Sequence, residues 1–169
     1  MEEIEMRTPI IYKRRKEGVT DYRRRYHLIK SGIPRLVVRI SKKGIVVQVV
    51  EFNSSGDHVA VSLNPHSLKK AGVDLQGNST PVAYLLGYLA GIKAKKLGLE
   101  ETILDIGRTR LTTGGRVGAV TKGFSDAGCT LPHDESIYPS DDRINGKHMK
   151  KKLGKKAMDE MKKKLEAPA

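Results

Sequence analysis

Charge in this chain is sorted by position, and that sorting limits what it can fold into more than any motif does. Residues 7–43 carry 13 Lys and Arg against 2 Asp and Glu, and residues 147–169 carry 9 against 3. Between them, residues 44–146 hold 10 basic and 11 acidic side chains. A near-neutral middle suits an ordinary core, whereas the two ends repel themselves and gain from an anionic partner. For 169 residues with a net charge of +13, one α/β core with basic appendages fits better than two complete domains. Basic ends that merely keep a protein soluble are the plain alternative. Self-repulsion on this scale weakens a compact state unless a polyanion relieves it, so a nucleic-acid partner is expected.

Other classes of protein fit less well. The single cysteine, Cys129, excludes an internal disulfide and cannot by itself form a Cys-based zinc site, so the expectation is a cytoplasmic protein with a core thiol. The first residues show no basic region followed by an apolar run, and no signal peptide is expected. The most apolar stretch, 81–92, falls far short of the roughly 20 residues a bilayer span requires, so no membrane partner is expected.

The order of elements follows from spacing. Thr20 or Asp21 can cap a helix that runs to about Lys30, where Ser31, Gly32 and Pro34 stop it. Tyr22, Tyr26 and Ile29 share one face of that helix and arginines surround the rest. From residue 35 the period shortens: runs at 35–41, 44–52 and 58–63, rich in β-branched residues and separated by turn chemistry, predict a three-stranded antiparallel meander. Asn64-Pro65 opens a short helical turn, and Pro81 begins a long helix that Gly98 ends. Val82, Leu85, Leu86, Leu89 and Leu97 form its expected apolar stripe, while Ala83, Gly87, Ala90, Gly91 and Ala94 offer small surfaces for a close-approaching sheet. A strand at 102–106, reached through that helix, is expected to join the sheet in parallel, making it mixed. A Gly-rich loop leads into a second helix at about 116–127. The expected division is 1–34, a basic arm with a short helix; 35–131, an RNA-binding core; and 132–169, an extended arm that orders only against a partner. Leu153, Ala157, Met161 and Leu165 mark a basic amphipathic helix at its end.

Candidate chemistry is thin except for anion binding. The 107–118 loop lies between a strand and a helix, where nucleotide-binding enzymes hold phosphates, yet Gly114-Gly115-Arg116-Val117-Gly118 is neither the dinucleotide fingerprint nor a P-loop. Arg108, Arg110 and Arg116 there suit RNA phosphates beside the helix N-terminus. His133, Asp134, Glu135, Asp141, Asp142 and His148 include metal-ligating types, but no helical spacing frames them, and neither metal nor cofactor is expected. No Ser or Cys sits in a nucleophile setting, so no catalytic residue is expected. Tyr12, Tyr22 and Tyr26, interleaved with arginines, suit stacking on unpaired bases or packing within the arm.

Pro34-Arg35-Leu36-Val37-Val38-Arg39, the helix over 83–98, Leu104-Asp105-Ile106-Gly107 and Gly128-Cys129-Thr130-Leu131-Pro132-His133 resemble, in this order, ribosomal protein L-eighteen of the large subunit, in its archaeal form. Thr20-Asp21-Tyr22-Arg23-Arg24-Arg25 and the Gly-Arg-Val at 115–117 add to the likeness, which spans about residues 7–148. The resemblance implies a structural constituent of the ribosome that binds 5S rRNA and helps attach it to the large-subunit rRNA in the central protuberance. Neighbouring ribosomal proteins, and no small-molecule substrate, would complete its partners. It also implies that the arm and the adjoining sheet surface carry much of the RNA contact. Here that maps onto Lys13, Arg14, Arg15, Tyr22, Arg23, Arg24, Arg25, Lys30, Arg35 and Arg39, with Tyr26 and the turn lysines Lys42 and Lys43 beside them. A second hypothesis is an RNA- or nucleotide-processing enzyme using the 107–118 loop.

Overall fold

Beyond Pro34, where the chain is forced out of helical geometry, the valine- and isoleucine-rich runs pair into a sheet, seen in a computed structural model that describes residues 10–149 and 153–166. The strands are β1 (Arg35–Ile40), β2 (Ile45–Glu51), β3 (His58–Leu63) and β4 (Ile103–Asp105), in the order β3-β2-β1-β4. The meander is antiparallel, with Arg35 opposite Val50 and Ile40 opposite Ile45, and β4 runs parallel to β1, with Arg35 opposite Ile103 and Val37 opposite Asp105. An irregularity between Val49 and Val50 shifts the β2–β3 register.

Two short helices, α1 (Lys13–Lys16) and α2 (Tyr22–Lys30), precede the sheet, and neither buries a residue. Asp21 caps α2 by accepting from the Arg23 and Arg24 amides, both at 3.1 Å. After β3, α3 (Pro65–Lys70) starts on a reciprocal capping box between Asn64 and Ser67. Then come α4 (Thr80–Lys96) and, beyond β4, α5 (Arg116–Asp126). Helix α4 is buried from Thr80 through Gly91, all round its circumference rather than along one stripe, because it lies against β2 and β3 and also along α5. Leu97, expected in the stripe, follows the last helical residue and is exposed.

The small residues of α4 serve a different neighbour from the one expected. A Cβ on Gly87 would sit 2.1 Å from the Val120 carbonyl oxygen of α5, and one on Gly91 would sit 2.5 Å from Cβ of Ala127. In return, a Cβ on Gly123 of α5 would lie 2.1 Å from the Tyr84 carbonyl oxygen of α4. Helix meets helix, not sheet, at these glycines, and backbone touches backbone. The inner sheet face supplies Leu36, Val38, Ile45, Val47, Val49, Val61 and Leu63 to the same core, and Phe124 and buried Cys129 come from the α5 side.

The chain beyond Pro132 folds back where an extended arm was expected. A 3-10 turn (Glu135–Ile137) and helix α6 (Asp141–Ile144) bury Ile137 and Ile144, apolar residues spaced widely enough to seat an otherwise polar segment. Helix α7 (Lys155–Glu166) is amphipathic as expected, but its deepest residue is Met158, 1% exposed, with Leu165 beside it, so the buried face is rotated from the expected stripe. Lys162 lies over the Tyr84 and Tyr88 rings, 4.9 and 5.7 Å from their centroids. Burial and a hydrogen bond to Glu166 push the Tyr88 hydroxyl up to about 12. Among the described residues no helix is long and apolar enough to cross a membrane.

Candidate nucleic-acid interface

The outer face of the sheet is where the basic residues of separate segments meet. Alternation along β1 sends Leu36 and Val38 inward and Arg35, Val37 and Arg39 outward, and the parallel register sets Asp105 of β4 on the same outer face. From the arm, Arg24 of α2 donates through Nη1 to the Gly107 carbonyl at 3.1 Å, and Arg25 donates through Nη2 to Asp57 at 2.7 Å. Asp57 stands in the turn between β2 and β3. Arg35 reaches the same carboxylate at 2.6 Å and touches Asp105 at 3.1 Å with its other terminal nitrogen. Arg39 holds the far side of Asp105, donating to its carboxylate at 3.1 Å and to its backbone carbonyl at 2.7 Å.

Burial alone pushes the Asp105 carboxyl up, but the Gly107 amide, which donates to it at 2.8 Å, and the Arg39 and Arg35 guanidiniums together hold it below the usual carboxylate range. It is therefore an anion at any physiological pH.

Three grooves surround this platform. The first, about 620 Å³, runs between arm and sheet and is lined by Arg14, Arg24, Arg25, Arg39 and Arg108. The second, about 520 Å³, lies on the outer side of α2 between Arg15, Tyr22, Arg23, Tyr26 and Arg108. The third, about 490 Å³, lies across the Gly-rich loop at the start of α4 and α5, with Arg110, Arg116, Arg143 and His148 around it. Arg108 binds the Gly18 carbonyl and so ties the loop to the arm, while Arg116 donates to the Asn78 carbonyl at 3.4 Å.

Of the residues expected to contact RNA, the structure brings Arg14, Arg15, Tyr22, Arg23, Arg24, Arg25, Tyr26, Arg39 and Arg108 into one continuous region. Arg110 and Arg116 fall on the other side of the loop. Lys13 and Lys30 are exposed on the arm helices, and Lys42 and Lys43 are exposed at the β1–β2 turn, at the opposite end of β1 from Arg35. Arg35 differs from all of these. Its side chain is 4% exposed and both terminal nitrogens rest on carboxylates, so its place is inside the protein, as the centre of the charge network. Sequence reasoning passed over Asp57, Asp105 as an anchor, and Arg143. An acidic residue in a hairpin turn looks like ordinary turn chemistry, and only the fold shows which guanidinium it meets.

Tyr26 is 63% exposed, its ring edge-on to His27, whereas Tyr22 is half-buried with its ring centroid 5.4 Å from that of Tyr12. Three of the carboxylates weighed as metal ligands are otherwise engaged. Asp134 accepts from the Ser136 amide at 2.8 Å, Asp141 pairs with Lys122 at 2.7 Å, and Asp142 pairs with Lys147 at 2.6 Å. Among the described residues no three His, Cys, Asp or Glu side chains are placed to hold a metal together. Gly118, the last glycine of the candidate nucleotide loop, is inside α5, where a Cβ would lie 2.0 Å from the Ile137 carbonyl oxygen. It is a packing residue, pressed against the segment that follows Pro132.

Comparison with known proteins identifies relatives of the chain. The family described as "Ribosomal large subunit proteins 60S L5, and 50S L18" matches residues 6–103, from the arm to the first residue of β4. A large ribosomal subunit protein uL18 of Thermoplasma acidophilum is 45% identical over 141 residues, covering 83% of this chain and 86% of the relative. Proteins of the same name from Picrophilus torridus and Korarchaeum cryptofilum are 43% and 46% identical, covering 88% and 85% of this chain and 93% and 73% of their own lengths. These relatives are named as proteins of the large ribosomal subunit and not as enzymes, which gives the nucleotide-processing alternative no support. The chain belongs to this family of large-subunit ribosomal proteins, in its archaeal form.

Proposed function

We propose that this protein binds 5S rRNA and helps attach it to the large rRNA in the central protuberance, beside neighbouring proteins of the subunit. The observation that carries the reading is the gathering of arm, sheet and loop arginines on one face, around grooves that Arg14, Arg24, Arg39 and Arg108 line. Guanidiniums fit phosphate oxygens through paired N–H donors, and exposed Tyr26 among them offers a stacking surface for an unpaired base. The groove at the starts of α4 and α5 provides a second cationic surface, suited to a second stretch of rRNA. We read residues 1–34 as the RNA arm, 35–131 as the core that presents it, and 132–169 as a C-terminal extension.

A salt titration tests the reading. Each phosphate neutralised steepens the fall of log affinity with log salt by roughly 0.7 to 0.9, so 5S rRNA binding mediated by this face will show a slope several times that figure. The protein will also sediment with large subunits and retain equimolar 5S rRNA. A slope near zero, or 5S rRNA binding no tighter than that of an unrelated RNA of similar size, overturns it.

A further inference from the structure

Five charged residues from four segments alternate in sign across the outer face: Arg25 of the arm, Asp57 of the β2–β3 turn, Arg35 of β1, Asp105 of β4 and Arg39 of β1. The two ends differ from the middle. Arg25 and Arg39 are 40% and 45% exposed, while Arg35 is 4% exposed. A device meant only to hold the fold together needs the buried guanidinium and nothing from the arm, since α2 buries no residue in the core. Three guanidiniums against two carboxylates leave the network cationic, so the face still attracts phosphate. Arg25 uses one terminal nitrogen on Asp57, and a guanidinium carries five N–H donors, so a fork remains for a ligand. An arginine already fixed in place loses less rotamer freedom when it binds, and the phosphate it selects must match its position.

We propose that Asp57 and Asp105 are positioning residues for RNA recognition, holding the exposed guanidiniums of Arg25 and Arg39 in the orientation that meets the RNA backbone. The inference rests on the RNA-binding reading above. It reverses the sign expected from charge alone. Deleting a carboxylate from an RNA-facing surface strengthens binding if only Coulomb attraction acts. Here, deleting Asp57 weakens cognate binding.

The test is a double-mutant cycle on the full-length protein, with affinities measured for 5S rRNA and for a transfer RNA as the non-cognate competitor. Asp57→Asn lowers 5S rRNA affinity by about tenfold, the scale of one side chain left to be ordered on binding, while transfer RNA binding is unchanged or tighter. Glu51→Gln, which removes an exposed carboxylate paired with His58 and not with an arginine, tightens both RNAs or neither. Arg25→Lys keeps the charge but not the fork, and combined with Asp57→Asn it binds 5S rRNA no worse than the weaker single variant, because the two residues act as one unit. Asp57→Asn that binds 5S rRNA as tightly as the parent, or losses that add in the double variant, overturns the proposal. Should Asp57→Asn not fold at the assay temperature, Asp57→Glu carries the test: it preserves charge and displaces the carboxylate by one methylene. A lowered ratio of cognate to non-cognate affinity supports the proposal, and an unchanged ratio overturns it. Failure of the parent protein to prefer 5S rRNA is a separate result, and it strikes the proposed function itself.

Discussion

Where α4 meets α5, the chain holds itself by the absence of side chains; where the arm meets the sheet, it holds itself by long charged ones. At the helix pair, Gly87 and Gly123 let carbonyl oxygens of the facing helix approach to where a methyl group would stand. Such a contact has one geometry, carries no net charge on either side and is indifferent to salt. At the arm, no residue of α2 is buried, and the ties are one hydrogen-bonded ion pair from Arg25 to Asp57, a bond from Arg24 to the Gly107 carbonyl and a bond from Arg108 to the Gly18 carbonyl. Bonds of that kind are screened by salt, and the half-exposed guanidinium of Arg25 keeps further N–H donors for phosphate oxygens while it stays paired. The difference separates the contact that closes the fold from the one that sets side chains toward RNA.

The largest effect is expected where the backbone-to-backbone contact is forced open. Gly87→Ala or Gly123→Ala drives a methyl group against a backbone carbonyl, which no rotamer change relieves, so each should lower unfolding free energy by about 3 kcal/mol, at the upper end for overpacking. Urea denaturation reads this directly. A midpoint within error of the parent would mean that the helices separate easily, and the contrast with the arm would then fail.

The second effect lies at the boundary between the two regions. Arg35→Met removes the buried guanidinium that Asp57 and Asp105 share and is expected to cost about 3 kcal/mol at neutral pH, the low end for breaking a buried pair because Asp57 keeps Arg25 and Asp105 keeps Arg39. Asp105 titrates below its ordinary 3.8 in the fold, so the stability it contributes is fully present above that value and is lost as pH falls through the lower folded value. The gap between parent and variant should therefore be constant from pH 7 to about pH 5 and narrow below about pH 4, as a protonated Asp105 no longer needs its partner. Denaturant midpoints across that range check both the size and the sign.

The same division explains what was legible in the sequence. Period and punctuation are local properties: Pro34, the alternation in 35–63, Asn64-Pro65 and Gly98 marked the elements, and the parallel placement of β4 followed from a general rule on crossovers. Gly87 and Gly91 announced a close approach but not by what, because a small residue on a helix shows room without showing its occupant. Met158 was lost among lysines, since a stripe of steps of four fits a short helix nearly as well as one rotated by a residue. The arginines were legible as a charged group, yet which of them are spent inside the protein depends on Asp57 and Asp105, 32 and 70 residues away along the chain from Arg25 and Arg35 respectively. Pairings of that range have no local signature.

The smallest effect on stability, and the sharpest test of the arm, concerns Tyr26. The ring is 63% exposed, its aromatic neighbour His27 is on the same exposed helix, and it lies in the groove that Arg15, Arg23 and Arg108 share. If the arm were packed as the core is, removing a tyrosine from α2 would lower the melting temperature. Exposure argues otherwise: Tyr26→Ala should change stability by under about 0.5 kcal/mol, the range of surface substitutions. Its affinity for 5S rRNA should fall by roughly 1 to 3 kcal/mol, the value of one base stacked on an aromatic ring, with the salt slope unchanged because no charge is removed. Tyr26→Phe should retain most of that affinity. Arg23→Ala in the same groove should show the opposite pattern, a shallower slope and a loss shared by all RNAs. Melting temperature and salt-dependent affinity measured on these three variants separate the roles, and a destabilised Tyr26→Ala protein would show that the arm is built like the core after all.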